Sequence, residues 1–271
     1  MRKHSVFWPL VLILIGVMFL LENLGVLARL GVSAWGLLWP LLLIAWGLYI
    51  LWRVGRGQAS TEAEQAAIAL SSAKRARLRI HHAAGRLQVT GGAGPGNLME
   101  GTFRGGLDYH ANERGDLLEV EMRVPRRSSP FLSGPWHWGP GNTLDWSLAL
   151  SDRVPLTLEL ETGANDAHLD LTELRVTDLR LKTGASSTRV RLPAQAGHAR
   201  VSIESGAASL RLEVPGGVAA RIRATGALSS TDVDTTRFPR SAGGYESPDY
   251  ATAENRVDID IEAAVGSVDI S

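Results

Sequence analysis

Hydrophobicity along this chain changes its period partway, and the change divides the sequence. Val6 to Leu21 and Gly36 to Trp52 are two apolar runs without a charged residue. Each is slightly shorter than the roughly 20 residues that span a hydrocarbon core. Neutral flanks complete both, Ser5 before the first and Ser33-Ala34-Trp35 before the second. Backbone groups in lipid must bond within their own segment, so each run is expected to be a helix. The two runs are copies. Trp8-Pro9-Leu10-Val11-Leu12-Ile13 returns 31 residues later as Trp39-Pro40-Leu41-Leu42-Leu43-Ile44. Pro9 and Pro40 fall near the first turn, where a missing N–H costs little. Trp8, Trp35, Trp39 and Trp52 fall near the run ends, where indole favours the headgroup zone. Residues 1–54 therefore read as a transmembrane helical hairpin, in preference to a cleaved leader or a buried soluble hairpin.

Residues 55–76 form a polar, Ala-rich connector. Within it Gln65 to Leu70 reads as a short helix capped by Ser60 or Thr61, or as flexible linker. From Arg77 the period becomes two. Leu78 and Ile80, then Leu87 and Val89, alternate with polar residues, and turn-forming clusters bound them. Residues 77–150 are expected to be an N-terminal β subdomain. An irregular Pro/Gly-rich insertion from Pro125 to Asn142 carries the aromatics Phe131, Trp136 and Trp138.

Residues 151–271 hold a repeat. Leu158-Glu-Leu-Glu-Thr-Gly163-Ala164 is followed by Leu179-Arg-Leu-Lys-Thr-Gly184-Ala185 and Val201-Ser-Ile-Glu-Ser-Gly206-Ala207. Arg221-Ile-Arg-Ala-Thr-Gly226-Ala227 is a fourth copy, slipped by one residue, and the glycines stand 21, 22 and 20 apart. A weak last copy ends at Gly266. A fixed period of about 20 residues indicates stacked units, none of which can bury its apolar face alone. Each unit reads as strand, Gly-Ala turn, strand, with Gly163, Gly184, Gly206 and Gly226 supplying positive φ at the turns. The fold class expected is an N-terminal two-helix transmembrane hairpin followed by an all-β repeat domain, β-solenoid-like or a stacked β-sandwich. Arg237 to Tyr250 interrupts the repeat, and Ser247 within it offers a place for a cysteine label. Val268-Asp269-Ile270 would be the last strand, with an uncapped edge.

Composition narrows the function. The formal net charge is zero, so no basic field points to nucleic acid. Cysteine is absent, which removes disulfides, thiol catalysis and cysteine-held metals. No nucleophile elbow, phosphate-binding loop or His-Glu-x-x-His motif occurs. His81 and His82 are adjacent, so on a strand they face opposite sides. His110, His137, His168 and His198 are isolated. Asp258, Asp260 and Glu262 share one strand face, as do Asp232 and Asp234. Such carboxylates could hydrolyse a glycan or hold calcium, but a solvated outer face explains the alternation more simply. No cofactor or metal is expected. Phe131, Trp136 and Trp138 form a candidate partner surface, or a plug for one end of the stack.

Arg2 and Lys3 precede the first span and Arg53 and Arg56 follow the second, so both termini and the β domain are expected in the cytoplasm. The doubled Trp-Pro hairpin resembles the LiaI-LiaF-like transmembrane region of bacterial membrane proteins. The repeat Glu161-Thr162-Gly163-Ala164, Lys182-Thr183-Gly184-Ala185 and Glu204-Ser205-Gly206-Ala207 resembles the toast-rack domain of LiaF-type envelope-stress proteins. Ala84-Gly85-Arg86-Leu87 through Glu100-Gly101-Thr102-Phe103 resembles the amino-terminal part of that domain. The resemblance implies a non-enzymatic membrane protein tied to cell-envelope stress, in some bacteria by restraining a sensor histidine kinase. Expected partners are the lipid bilayer, a membrane or cytoplasmic protein such as a sensor kinase, and further copies of the chain as a homo-oligomer. The alternatives are a self-assembling membrane-anchored scaffold and, less well supported, a carbohydrate-active enzyme.

Overall fold

The computed structural model describes residues 63–125 and 144–271, apart from the side chains of 227–229. The hairpin residues Trp8, Pro9, Trp39 and Pro40 and the aromatics Phe131, Trp136 and Trp138 lie outside the described residues. The chain divides into two compact units, Met1–Ala59 and Ser60–Ser271. The second is all-β among its described residues.

Its strands are β1 (Glu64–Ala69), β2 (Arg75–Gly91), β3 (Asn97–Phe103), β4 (Asp108–Arg114), β5 (Leu117–Arg123), β6 (Asp145–Leu150) and β7 (Leu156–Asp170). They continue with β8 (Val176–Arg191), β9 (His198–Glu213), β10 (Ala219–Val233), β11 (Arg240–Ser241), β12 (Gly244–Glu246) and β13 (Arg256–Ile270). All join one sheet in the order β1-β3-β6-β2-β7-β8-β9-β13-β10-β12-β11, with β5 and β4 branching from β2.

The repeat unit differs from strand, turn, strand. Each rung is one continuous strand that bends. In β7, Leu156, Leu158, Leu160 and Thr162 are buried, Gly163 and Ala164 are both exposed, and then Asn165, Ala167 and Leu169 are buried. Two consecutive outward residues shift the phase of a period-two pattern, so both legs of the rung turn their apolar side to one interior. β8, β9 and β13 do the same at their own corners. Parallel register stacks like on like. Leu78, Leu158, Leu179, Val201, Ile259 and Ile222 form one inward row of the first leg. Val89, Leu169, Val190, Leu212, Ile270 and Val233 form one of the second. Both rows belong to a single core cluster.

The corner glycines serve a different purpose from the one expected. Gly163, Gly184 and Gly206 are not among the positive-φ residues. They stack on one another, and a Cβ would be crowded at each, most severely at Gly163. At Gly163 it would run into the Ala83 carbonyl oxygen, at Gly184 it would lie 3.0 Å from the Gly163 oxygen, and at Gly206 3.1 Å from the Gly184 oxygen. Close approach of backbones at the bend selects glycine here. Gly226 pairs with Ala263 and so stands one row inside that line.

Two further expectations change. Gln65 to Leu70 is neither helix nor linker, because β1 pairs antiparallel with β3 and buries Ile68, with Leu70 buried just beyond its end. The i, i+2 spacing of those two side chains outweighs the helix propensity of the alanines. The boundary between units falls at Ala59/Ser60, within the expected connector of residues 55–76. The last strand is not an edge. β13 inserts between β9 and β10, paired in parallel to both. The segment from Arg237 to Tyr250 contains the β11–β12 hairpin, which covers the first leg of β10.

Candidate functional site

Alternation sends every second residue of the first leg outward, and parallel register sorts them into charged rows. One row runs Glu119, Arg77, Thr157, Asp178, Arg200, Asp258, Arg221, Glu246. Strands about 4.8 Å apart bring such neighbours within ion-pair range. Arg77 lies 3.2 Å from Glu119, and Arg221 lies 2.9 Å from Glu246. The next row places Arg79 2.8 Å from Glu159 and Arg223 3.6 Å from Asp260. These rows are neutralised locally, as the zero net charge suggests.

Asp258 is engaged on both carboxylate oxygens. Tyr250 donates its hydroxyl at 2.6 Å, His198 donates from Nε2 at 2.7 Å, and Arg221 approaches at 3.8 Å. The Arg221 guanidinium also lies 4.1 Å above the Tyr250 ring. Burial opposes ionisation of Asp258, but the hydrogen bonds from Tyr250 and His198 outweigh it and hold the carboxyl below its ordinary value. Burial and the Asp258 carboxylate push the Tyr250 hydroxyl up to about 12. This is a clamp. It fixes the segment bearing β11 and β12 to the stack end, and both carboxylate oxygens are occupied. Acid–base work on a glycan needs one carboxyl raised, with a second nearby left free. Asp260 instead faces Arg223, and Glu262 lies at the rim of the corner. Among the described residues no three His, Asp or Glu side chains converge on a metal position.

Along the corner runs a shallow open trough of about 860 Å³. Gly184 and Gly206 leave its floor without side chains, and Glu161, Lys182, Glu204 and Glu262 line it. Lys182 and Glu204 pair at 2.8 Å. Its shape suits an extended chain better than an enclosed small molecule.

The corner line continues into the cap, β1 to β6. β5 pairs with the first leg of β2 and β6 with its second leg. Together they make one more rung, split at its corner between Arg123 and Asp145. In sequence, Phe131, Trp136 and Trp138 fall between those two strands. The return point, Leu144, is held firmly. Its carbonyl accepts from the Arg86 N–H at 3.0 Å and from His82 Nε2 at 3.1 Å. Burial lowers His82 to about 4 despite that hydrogen bond and the Asp145 charge, so the ring is neutral at pH 7. It rests on Trp146, with centroids 5.2 Å apart. Sequence placed His81 and His82 on opposite faces, and His81 is indeed half-exposed between Glu121 and Glu161. It gave no sign that His82 anchors Leu144, or that Tyr250 and His198 meet on Asp258. Those contacts join residues 62, 8 and 60 positions apart.

The described residues form a bent parallel stack whose outer rows alternate in charge. The N-terminal domain of toast_rack matches residues 57–213, more than half of the chain. The LiaF transmembrane domain matches residues 7–73. The chain belongs to the toast-rack family and carries a LiaF-type transmembrane region, so it is a membrane-associated protein. A crystal structure from Clostridium sporogenes, of a protein provisionally described as a cell adhesion protein, matches with a TM-score of 0.68 at 18% identity. The match covers 77% of this chain and 98% of that one, and at such identity the likeness is one of fold alone. No curated protein matches the chain.

Proposed function

We propose that this chain is a non-enzymatic, membrane-anchored regulator of the cell-envelope stress response, acting through protein contacts of its β stack. The carrying observation is the join itself. The LiaF transmembrane match runs to residue 73, while the sheet has already begun at Glu64. A rigid platform thus follows a membrane domain with little sequence between them. Many of its outer charges are paired, and the Asp258 cluster is a structural clamp, so recognition suits it better than chemical conversion. The basic flanks Arg2, Lys3, Arg53 and Arg56 favour two spans with both ends in the cytoplasm. A sensor kinase is the partner class that fits this position. Phe131, Trp136 and Trp138 are the contact side chains of choice, because loops inserted into a rigid scaffold commonly carry binding residues.

The test is a chromosomal replacement of Phe131, Trp136 and Trp138 by Ser, read with an envelope-stress reporter during cell-wall antibiotic challenge. The expected result matches the deletion of the whole gene, with the protein still present at its normal level. A deletion strain with an unaltered reporter response would remove the stress role. Orientation is checked with a single cysteine at Ser187, which is exposed. Ser247 is unsuitable, because it is buried and its Oγ accepts the Ala220 N–H at 2.8 Å. Protection of Ser187→Cys from an impermeant reagent in intact cells supports the cytoplasmic placement, and labelling without lysis reverses it.

A further inference from the structure

We infer that β4 is the self-association edge of this protein, through an antiparallel two-fold pairing with β4 of a second copy, centred on Ala111. Among the described residues β4 is paired on one side only, with β5. All seven of its residues are exposed. Its register with β5 is unbroken from Asp108↔Arg123 to Arg114↔Leu117, so no bulge twists the edge away. It contains neither proline nor lysine, two common means of blunting an edge.

The hairpin geometry fixes which groups are free. Arg114 and Leu117 flank a two-residue turn whose first residue, Gly115, has φ +63. Flanking residues of such a turn exchange hydrogen bonds. Arg114, Asn112, His110 and Asp108 therefore bond toward β5, while Tyr109, Ala111 and Glu113 aim their N–H and C=O groups outward. A second antiparallel strand must meet those three. Centred on Ala111, the self-pairing sets Ala111 against itself and Tyr109 against Glu113 of the second copy. It also sets His110 against Asn112 and Asp108 against Arg114, and the last pair occurs twice by symmetry.

Other registers are poorer. Centring on Asn112 sets Asp108 against Asp116, a like-charge pair that disfavours pairing. Centring on His110 leaves Arg114 opposite Gly106. Only the Ala111 centre uses all seven residues and sets opposite charges at both ends. Arg114 is shared with Glu119 of its own chain at 3.2 Å, but its side chain is exposed and can serve both. Asp108 has no ion-pair partner among the described residues. Tyr109, at 47% one of the most exposed large apolar residues, lies on the edge that the pairing covers. Such an interface is isologous and closes at two copies, so it yields a dimer and not a fibre.

The chain has no cysteine, so single cysteines report cleanly. The full chain in its native membrane, carrying Ala111→Cys, is treated with a short bis-maleimide. A product of twice the chain mass is expected, several-fold above that from Ser187→Cys, an exposed position on the second leg. In the Ala111→Cys background, Asp108→Arg and Arg114→Asp should each lower the yield several-fold, and the two together should restore it. Both side chains are exposed, so folding is unaffected, and the double variant guards against misreading a folding loss. Yield no higher than the Ser187→Cys control overturns the inference. So does a product of another mass, which would show a different protein at this edge, or failure of the double variant to recover.

Discussion

The stack formed by β7, β8, β9, β13 and β10 and the cap formed by β1 to β6 are built from the same rung but solve its corner differently. In β7, β8 and β9 of the stack the corner closes on glycine, because successive backbones leave little room for a Cβ, least of all at Gly163. Many medium-sized side chains then share the core. In the cap the rung is split into β5 and β6. Its interior is filled by a few large residues, with Trp146, Phe103, Met99 and Met122 all fully buried. Repetition forces small residues at the bend. Breaking the repeat opens room for an insertion, and the cost is dependence on a handful of contacts. The stack should therefore tolerate trimming at any one rung better than the cap tolerates loss of its central aromatic.

Trp146→Ala is the severest test of that contrast. Trp146 is 1% exposed and meets Phe103 edge-on at 5.2 Å. Its loss should cost about 3–5 kcal/mol in urea unfolding. Ile203→Val, in the middle of the stack, should cost about 0.5–1.5 kcal/mol. Equal costs would mean that the cap holds no special centre.

The cap also holds a large pH response, at His82. Folded His82 titrates at about 4, while an unfolded histidine titrates near 6.5. Between those values the unfolded chain binds a proton that the folded chain does not. Stability should thus be complete above about 6.5, fall as pH drops toward 4, and level below it, for a loss on the order of 3 kcal/mol. His82→Gln should flatten this slope relative to the parent chain. An unchanged slope would place the acid sensitivity elsewhere.

How much of this was legible in sequence depended on the range of the contact. The period-two runs Leu78/Ile80 and Leu158/Leu160 announced strands, and the glycine spacing announced stacked units. The family resemblance was carried by the same residues. Strand order was not legible. Val257, Ile259 and Ile261 match the inward rows of β9 and β10 equally well, so chain order could not reveal that β13 lies between them. β1 was hidden by its alanines. The role of Gly163 was misassigned because a turn and a close approach both select glycine, and only the neighbouring backbone tells them apart. The clamp on Asp258 was invisible for the same reason that its alternation was visible. Period two shows which way a side chain points, not what meets it there.

The corner line offers a graded test within the stack itself. Gly163→Ala drives its Cβ into the Ala83 carbonyl of the cap, and should destabilise by about 1–3 kcal/mol. Gly206→Ala meets the Gly184 oxygen at 3.1 Å and needs only a small adjustment, so it should cost under about 1 kcal/mol. Gly226→Ala should be milder still, since its row-mate Ala263 already carries a Cβ. The order Gly163, Gly206, Gly226 in thermal midpoints is the readout. A reversed order would mean that backbone conformation, not approach, selects these glycines.

The smallest effects belong to the outward carboxylates, and two on one strand make a controlled pair. Asp260 faces Arg223 at 3.6 Å with both side chains more than half exposed. Such pairs contribute roughly 0–1 kcal/mol, and Asp260→Asn should leave the unfolding midpoint unchanged. Asp258 differs because Tyr250 is buried and needs its acceptor. Asp258→Asn keeps an oxygen for the Tyr250 hydroxyl but loses the charge that His198 and Arg221 face, so a cost of about 1 kcal/mol is expected near neutrality. The folded carboxyl is held below its ordinary value, so its contribution is present above that range and fades as pH falls. The gap between parent and Asp258→Asn should therefore close in acid, while Asp260→Asn tracks the parent throughout. A gap that persists in acid would mean that the clamp acts through shape, with the charge incidental to it.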